Sequence, residues 1–101
     1  MTIEEVKEGD YLKLKVTGKI DNFSHEEFQN AILMAFHREK KVVIDLEEVD
    51  YVSSVGLRAL LLGEKTASAK GGSMTIINAG QSVMDVFEVT GFDTILDIRR
   101  L

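Results

Sequence analysis

One short run of residues constrains the fold of this chain more than any other. Val42, Val43, Ile44 and Leu46 form an apolar, β-branched stretch, as expected of a strand covered on both faces. A short acidic loop is expected next, Glu47-Glu48-Val49-Asp50-Tyr51-Val52, and two adjacent serines, Ser53 and Ser54, then open an apolar helix. Leu57, Leu60, Leu61 and Glu64 recur at helical spacing, while Leu62 lies off that stripe beside Arg58 and Lys65. The helix is predicted to run to about Lys70, where Gly71-Gly72 stops it.

The flanking sequence repeats this alternation. Residues 3–8 and the alternating segment Tyr11 to Thr17 are expected to pair across the turn signal Gly9-Asp10 as an edge hairpin. Its lysines discourage further strand addition. Gly18-Lys19-Ile20-Asp21 is read as the end of the second strand, with Asp21 suited to a turn or cap. Ser24 and Glu27 have the spacing of a capping box. A helix follows to about Arg38, buried through Phe28, Ala31, Ile32, Ala35 and Phe36. Ser73 to Asn78 is expected as a buried strand. A helix from Gln81 or Ser82 turns Val83, Val86 and Phe87 inward and ends near Gly91, a residue that tolerates left-handed backbone. A last strand is predicted over Thr94 to Ile98. The order β-β-α-β-α-β-α-β implies an α/β fold: one domain over residues 1–101, with a mixed, mainly parallel sheet covered by about three helices.

Composition narrows the class. With 101 residues the chain is one domain with an adequate core. No apolar run approaches the length of a membrane span, and the first residues lack the pattern of a signal peptide, so a cytoplasmic protein without membrane insertion is expected. The absence of cysteine excludes disulfides and thiolate metal sites. The net charge of −5 is carried by the first fifty residues, which hold 12 acids against 7 bases. That balance argues against nucleic acid as a partner and allows an acidic rim that steers a basic one.

Catalytic patterns are missing. Gly71-Gly72-Ser73 leads into a strand, and Gly63-Glu64-Lys65-Thr66 lies within a predicted helix, so neither has the context of a phosphate loop. There is no nucleophile elbow. His25 and His37 have no partner at metal spacing. No enzyme, cofactor or metal is expected. The feature that remains is the serine pair. One of the two is placed to cap the helix, and a helix start tolerates an anionic group such as a phosphate.

The same residues carry a family resemblance. Ile44-Asp45-Leu46, then Asp50-Tyr51-Val52 and Ser53-Ser54-Val55-Gly56-Leu57, resemble the signature of STAS domains of the bacterial anti-sigma factor antagonist type. Gly18-Lys19-Ile20-Asp21 is similar to the family's Gly-x-Leu-Asp motif, and Thr90-Gly91-Phe92 and Gly71-Gly72 also fit. Aligned on Gly56-Leu57, the family's phosphorylated serine falls at Ser54. Ser53 stands where the family usually has Asp, and Val55 where it has a small residue, so Ser53 is the second choice. The resemblance implies an antagonist that sequesters an anti-sigma factor with serine kinase activity and so frees a sigma factor. A metal-dependent serine phosphatase would reverse the modification. It also implies a partner face at Asp21, Asn22, Ser53, Ser54, Val55 and Gly56. Arg58 and Leu62 are added to that face from their shared helical side. The chain is expected to be a monomer or a weak homodimer. The alternative is a STAS subunit of a lipid-transport or stress-signalling assembly, not controlled by serine phosphorylation.

Overall fold

The computed structural model describes residues 1–99, so Arg100 and Leu101, included in the expected domain, lie outside the described residues. The five strands are β1 (Thr2–Glu8), β2 (Tyr11–Ile20), β3 (Lys41–Val52), β4 (Ser73–Ile77) and β5 (Asp97–Arg99). The helices are α1 (His25–Arg38), α2 (Ser54–Lys70) and α3 (Gln81–Thr90). The strands lie side by side in chain order in one sheet. β1 and β2 are antiparallel, and every later neighbour is parallel. This is the mixed α/β sheet expected from the alternation of strand and helix patterns.

The edge hairpin closes through Gly9-Asp10, with Gly9 at φ 55 and Glu8 opposite Tyr11. In β2 the pleat sends Leu12, Leu14 and Val16 into the core, while Tyr11, Lys13 and Lys15 stay half-exposed on the other face. β3 and β4 follow suit. Val42, Ile44, Met74 and Ile76 are buried, whereas Val43 and Thr75 are only partly covered. The expectation that β3 is covered on both faces therefore holds only from Ile44 to Leu46. Phe28, Ile32, Ala35 and Phe36 of α1, Leu57 and Leu60 of α2, and Val83 and Phe87 of α3 complete one core.

Two boundaries and one cap differ from the sequence reading. The acidic segment after Leu46 is not a loop: β3 continues through it to Val52, and β2 continues past Thr17 to Ile20 to pair with it. The two extensions satisfy each other's backbone groups. The register shifts at Lys15/Thr17 and Gly18/Lys19 mark bulges, and Gly18 at φ 114 adopts a backbone that side-chain-bearing residues avoid. Charged residues dominate the segment's exposed positions, and Val49 and Val52 are its anchors in the core.

The last strand is shorter than expected. Phe92–Thr94 form a 3-10 turn, and Thr94, Ile95 and Leu96 lie outside β5. The Phe92 carbonyl accepts from Ile95 and Leu96, and the Thr94 hydroxyl donates to the Gly91 carbonyl. Local bonds thus satisfy a segment whose β-branched residues suit a strand. The third difference is at the start of α1, where the capping box does not form.

Candidate functional site

The site is assembled where β2 ends and α2 begins. The Ser53 N–H donates to the Ile20 carbonyl at 2.8 Å, so Asp21 and Ser54 each follow directly on one partner of a single backbone bond. The next turn of α2 packs on the same spot. A Cβ on Gly56 would lie 2.7 Å from Ile20 Cγ2 and 3.0 Å from Val52 Cγ1. Glycine is therefore required for the helix to start this close to the strand ends. Gly56 is buried, so its part in the expected partner face is to set this approach, not to offer a contact.

The two serines have different surroundings. Ser53 is the N-cap of α2. Its backbone is extended, its carbonyl accepts from the Leu57 N–H, and its hydroxyl accepts a long bond of 3.3 Å from the Gly56 N–H. Because Asp and Ser are comparable caps, the replacement of the family's Asp by Ser53 preserves this acceptor. Ser54 is the first helical residue. It is exposed, and its hydroxyl has no hydrogen-bond partner among the described residues. Val55 beside it is half-buried.

The loop opposite is held by Asp21. Its carboxylate accepts from the N–H groups of Phe23 (3.0 Å) and Ser24 (3.1 Å), and its carbonyl accepts from the His25 N–H (2.9 Å). The Phe23 N–H is the main reason that the Asp21 carboxyl sits below the ordinary carboxylate range, with the Ser24 hydroxyl and N–H adding to it against some desolvation. Asp21 thus closes the turn before α1, while Ser24 holds the N-cap position as expected but without a side-chain cap. Ser24 has helical backbone (φ −115, ψ −7) and makes no capping bond. Its hydroxyl instead points back to β2, 2.6 Å from the Lys19 carbonyl, and accepts from the Asp21 N–H. The turn is therefore closed on itself, with Asn22 exposed at its tip.

Phe23 is the residue that sequence reasoning missed. It is 98% exposed. The available signal was an aromatic set in the polar turn Asp21-Asn22-Phe23-Ser24, belonging to neither the strand nor the helix pattern.

The surrounding charges are partly matched. Lys19 Nζ lies 3.5 Å from Asp50 Oδ1, both side chains well exposed, and 5.8 Å from the centre of the Tyr51 ring. Such a surface pair contributes about 0–1 kcal/mol, so it trims the acidic rim more than it stabilises the fold. On α2, Arg58, Leu62 and Lys65 are exposed together, as expected, with Leu62 36% exposed. The opposite side owes as much to small residues as to leucines. Gly56, Ala59, Gly63 and Ala67 are buried with Leu57 and Leu60, and a Cβ on Gly63 would lie 2.6 Å from Met74 Sδ.

None of the expected site residues lines the cavity of about 310 Å³ between Glu47, Asn78, Ala79, Gln81, Met84, Ile98 and Arg99. Asp45 bonds to two of the lining residues. This buried carboxylate accepts from the Glu47 N–H and from the amide of Asn78, tying β3 to the end of β4. Among the described residues no helix is long and apolar enough to cross a membrane, and no three acidic or histidine side chains group as metal ligands.

The order of elements, the Gly-x-x-Asp turn and the serine-capped helix agree with a family comparison. A family model described as Mlab, STAS domain, matches residues 3–98. The chain belongs to the STAS domain family. Among its curated STAS relatives is BtrV of Bordetella bronchiseptica, a proposed anti-sigma factor antagonist, 38% identical over 60 residues. That alignment covers 59% of this chain and about half, 52%, of BtrV. The anti-sigma-B factor antagonist of Bacillus subtilis is 25% identical over 86% of this chain and 80% of its own length. Among solved structures, the STAS fold of SpoIIAA in its unphosphorylated form superposes with a TM-score of 0.84 at 16% identity, covering 99% of this chain and 88% of that one. SpoIIAA from Bacillus in its phosphorylated form superposes at 0.77 and 14% identity, covering 99% and 91%. The fold of this STAS domain is thus shared with both forms of that protein.

Proposed function

We propose that this STAS domain is an anti-sigma factor antagonist switched by phosphorylation of Ser54. The observation that carries the reading is the difference between the serines. Ser53 spends its hydroxyl on the helix cap, whereas Ser54 leaves its hydroxyl exposed and unpaired beside the Asp21 loop. The names of the curated relatives support the antagonist role.

In the unmodified state, the Asp21–Asn22 turn, Ser53, Ser54, Val55 and the exposed side of α2 with Arg58 and Leu62 dock on an anti-sigma factor that is also a serine kinase. Gly56 sets the packing beneath them. The chain acts here as substrate, not as catalyst. The kinase transfers the terminal phosphoryl group of ATP to Ser54 Oγ. The Oγ–P bond forms, the bond to the leaving ADP breaks, and the hydroxyl proton passes to the kinase. The phosphate adds about −1.5 to −2 charges at the first residue of α2, where the helix dipole favours an anion. Asp21 and Asp50 oppose it only weakly through water. The modification therefore leaves the helix intact and acts by bulk and charge at the docking face. A metal-dependent phosphatase hydrolyses the ester and restores docking.

The test is intact-mass and peptide mass spectrometry on protein from its native cells, followed by binding assays. A single phosphate on Ser54 is expected, with Ser54→Asp losing the partner that Ser54→Ala retains. Modification at Ser53 alone would oppose the assignment, because its hydroxyl is the cap.

A second reading has its own observation: the matching family model bears the name Mlab and not that of an antagonist. On that reading the domain is a constitutive STAS subunit of a lipid-transport or stress-signalling assembly. Finding neither serine modified while the kinase is active, together with co-purification with membrane-complex subunits, would favour it.

A further inference from the structure

We infer that Phe23 is the apolar anchor of the Ser54 face, and that it inserts into an apolar pocket with a basic rim on the protein that docks there. The inference rests on the proposed docking at Ser54 and goes beyond it by naming the anchor and the character of its pocket.

Exposure is the first observation. Phe23 is 98% exposed, whereas the other aromatic of the region, Tyr51, is about half covered and lies near Lys19. Rigidity is the second. An exposed side chain on a loose loop must be ordered before it binds, and that cost weakens binding. Here the Phe23 N–H and the following Ser24 N–H are both held by the Asp21 carboxylate, and the Ser24 hydroxyl ties the turn to the Lys19 carbonyl. The ring is thus presented from a backbone already fixed. Continuity is the third. Ile20, three residues before Phe23, bonds to Ser53 and packs under Gly56, which puts the Phe23 turn and Ser54 on adjoining segments.

Charge defines the partner. Asp21, Glu26 and Glu27 flank Phe23, and none of them forms an ion pair among the described residues, while Lys19 is matched by Asp50. An exposed aromatic on a fixed turn, flanked in sequence by carboxylates without ion pairs among the described residues, is complementary to an apolar pocket edged by Lys or Arg. That basic edge faces the Phe23 turn, and the contact at Ser54 is a separate, closely fitted one that added charge and bulk both disrupt.

The test places a benzophenone amino acid at position 23, 65 or 89 of the full chain in its native cells and identifies the adducts by mass spectrometry. Lys65 reports on the exposed side of α2. Val89, also strongly exposed but on α3, is the control. Positions 23 and 65 are expected to capture the same anti-sigma factor, with both adducts lost in the Ser54→Asp background and none at position 89. With that protein purified, Phe23→Ala is expected to weaken binding at least about ten-fold with an unchanged Tm, and Phe23→Leu to restore most of it. An adduct at 65 but not at 23, or unaltered binding by Phe23→Ala, overturns the anchor and leaves the Ser54 reading standing. An adduct at 23 that survives Ser54→Asp, or that proves to be a second copy of this chain, also overturns it. Capture at neither position, or capture at 65 that ignores Ser54→Asp, removes the underlying Ser54 reading as well.

Discussion

At Ser53 and Ser54, neighbouring residues of one type are separated by a single geometric fact. The cap requires an acceptor on residue 53 and asks nothing of residue 54. Ser53→Ala should therefore destabilise the domain by about 1 kcal/mol, and Ser53→Asp should be nearly neutral, both read from the midpoint of urea unfolding. Asp21 makes a prediction of a different kind. Its carboxyl is held below the ordinary carboxylate range by the Phe23 N–H and by Ser24. A depressed native value means that its contribution is present above the unfolded value of about 3.9 and fades as pH falls through the native one. Asp21→Asn keeps an acceptor oxygen but does not titrate, so the gap in Tm between wild type and variant should narrow as pH drops from 5 to 3.

At the scale of the element, α2 is read incompletely from its leucines. The sequence stripe of Leu57, Leu60, Leu61 and Glu64 marks the right side of the helix, but the closest contacts are made by glycines. Gly56→Ala would push a methyl into Ile20 and Val52. Overpacking of this kind costs on the order of 1–3 kcal/mol, and because it tilts the helix start it should also weaken docking by a folded variant. Glu64 is the other oddity of α2. One of its carboxylate oxygens is buried without a partner, and burial, with the Asp97 charge behind it, raises its pKa. A raised native value means that stability is greatest at low pH and declines as pH rises through that value. Glu64→Gln should accordingly raise Tm at pH 7, with the advantage disappearing near pH 4 in a thermal series. On the exposed side of the same helix, where Leu62 is 36% exposed, Leu62→Asp should abolish partner binding with little change in Tm; a large loss of stability would make it a packing residue.

At the scale of the molecule, the switch is expected to be local. The cap of α2 is supplied by Ser53, so a phosphate on Ser54 disturbs no bond that holds the fold. Amide NMR shifts on phosphorylation should be confined to the turn around Asp21 and the first turns of α2. Changes spread across β4 and α3 would mean that the sheet itself responds.

The sequence by itself determined the elements and their order, because patterns of period 2 and 3.6 are local and survive without knowledge of neighbours. It also determined the serine pair at the head of α2, the glycine stops after Lys70 and Thr90, and the buried residues of α1. Only the tertiary structure decided that the acidic stretch Glu47 to Tyr51 is strand. Its backbone groups are satisfied by the extension of β2, a partner about thirty residues away that no local pattern reports. It likewise decided that Asp21, not Ser24, holds the turn before α1, since two chemically competent caps lay three residues apart and the Lys19 carbonyl claimed one of them. It decided that Thr94 leaves the last strand for a 3-10 turn, with Ile95 and Leu96 following it before β5 begins. Above all it decided that Phe23 faces water, because a turn closed by its own hydrogen bonds leaves an aromatic no core to reach.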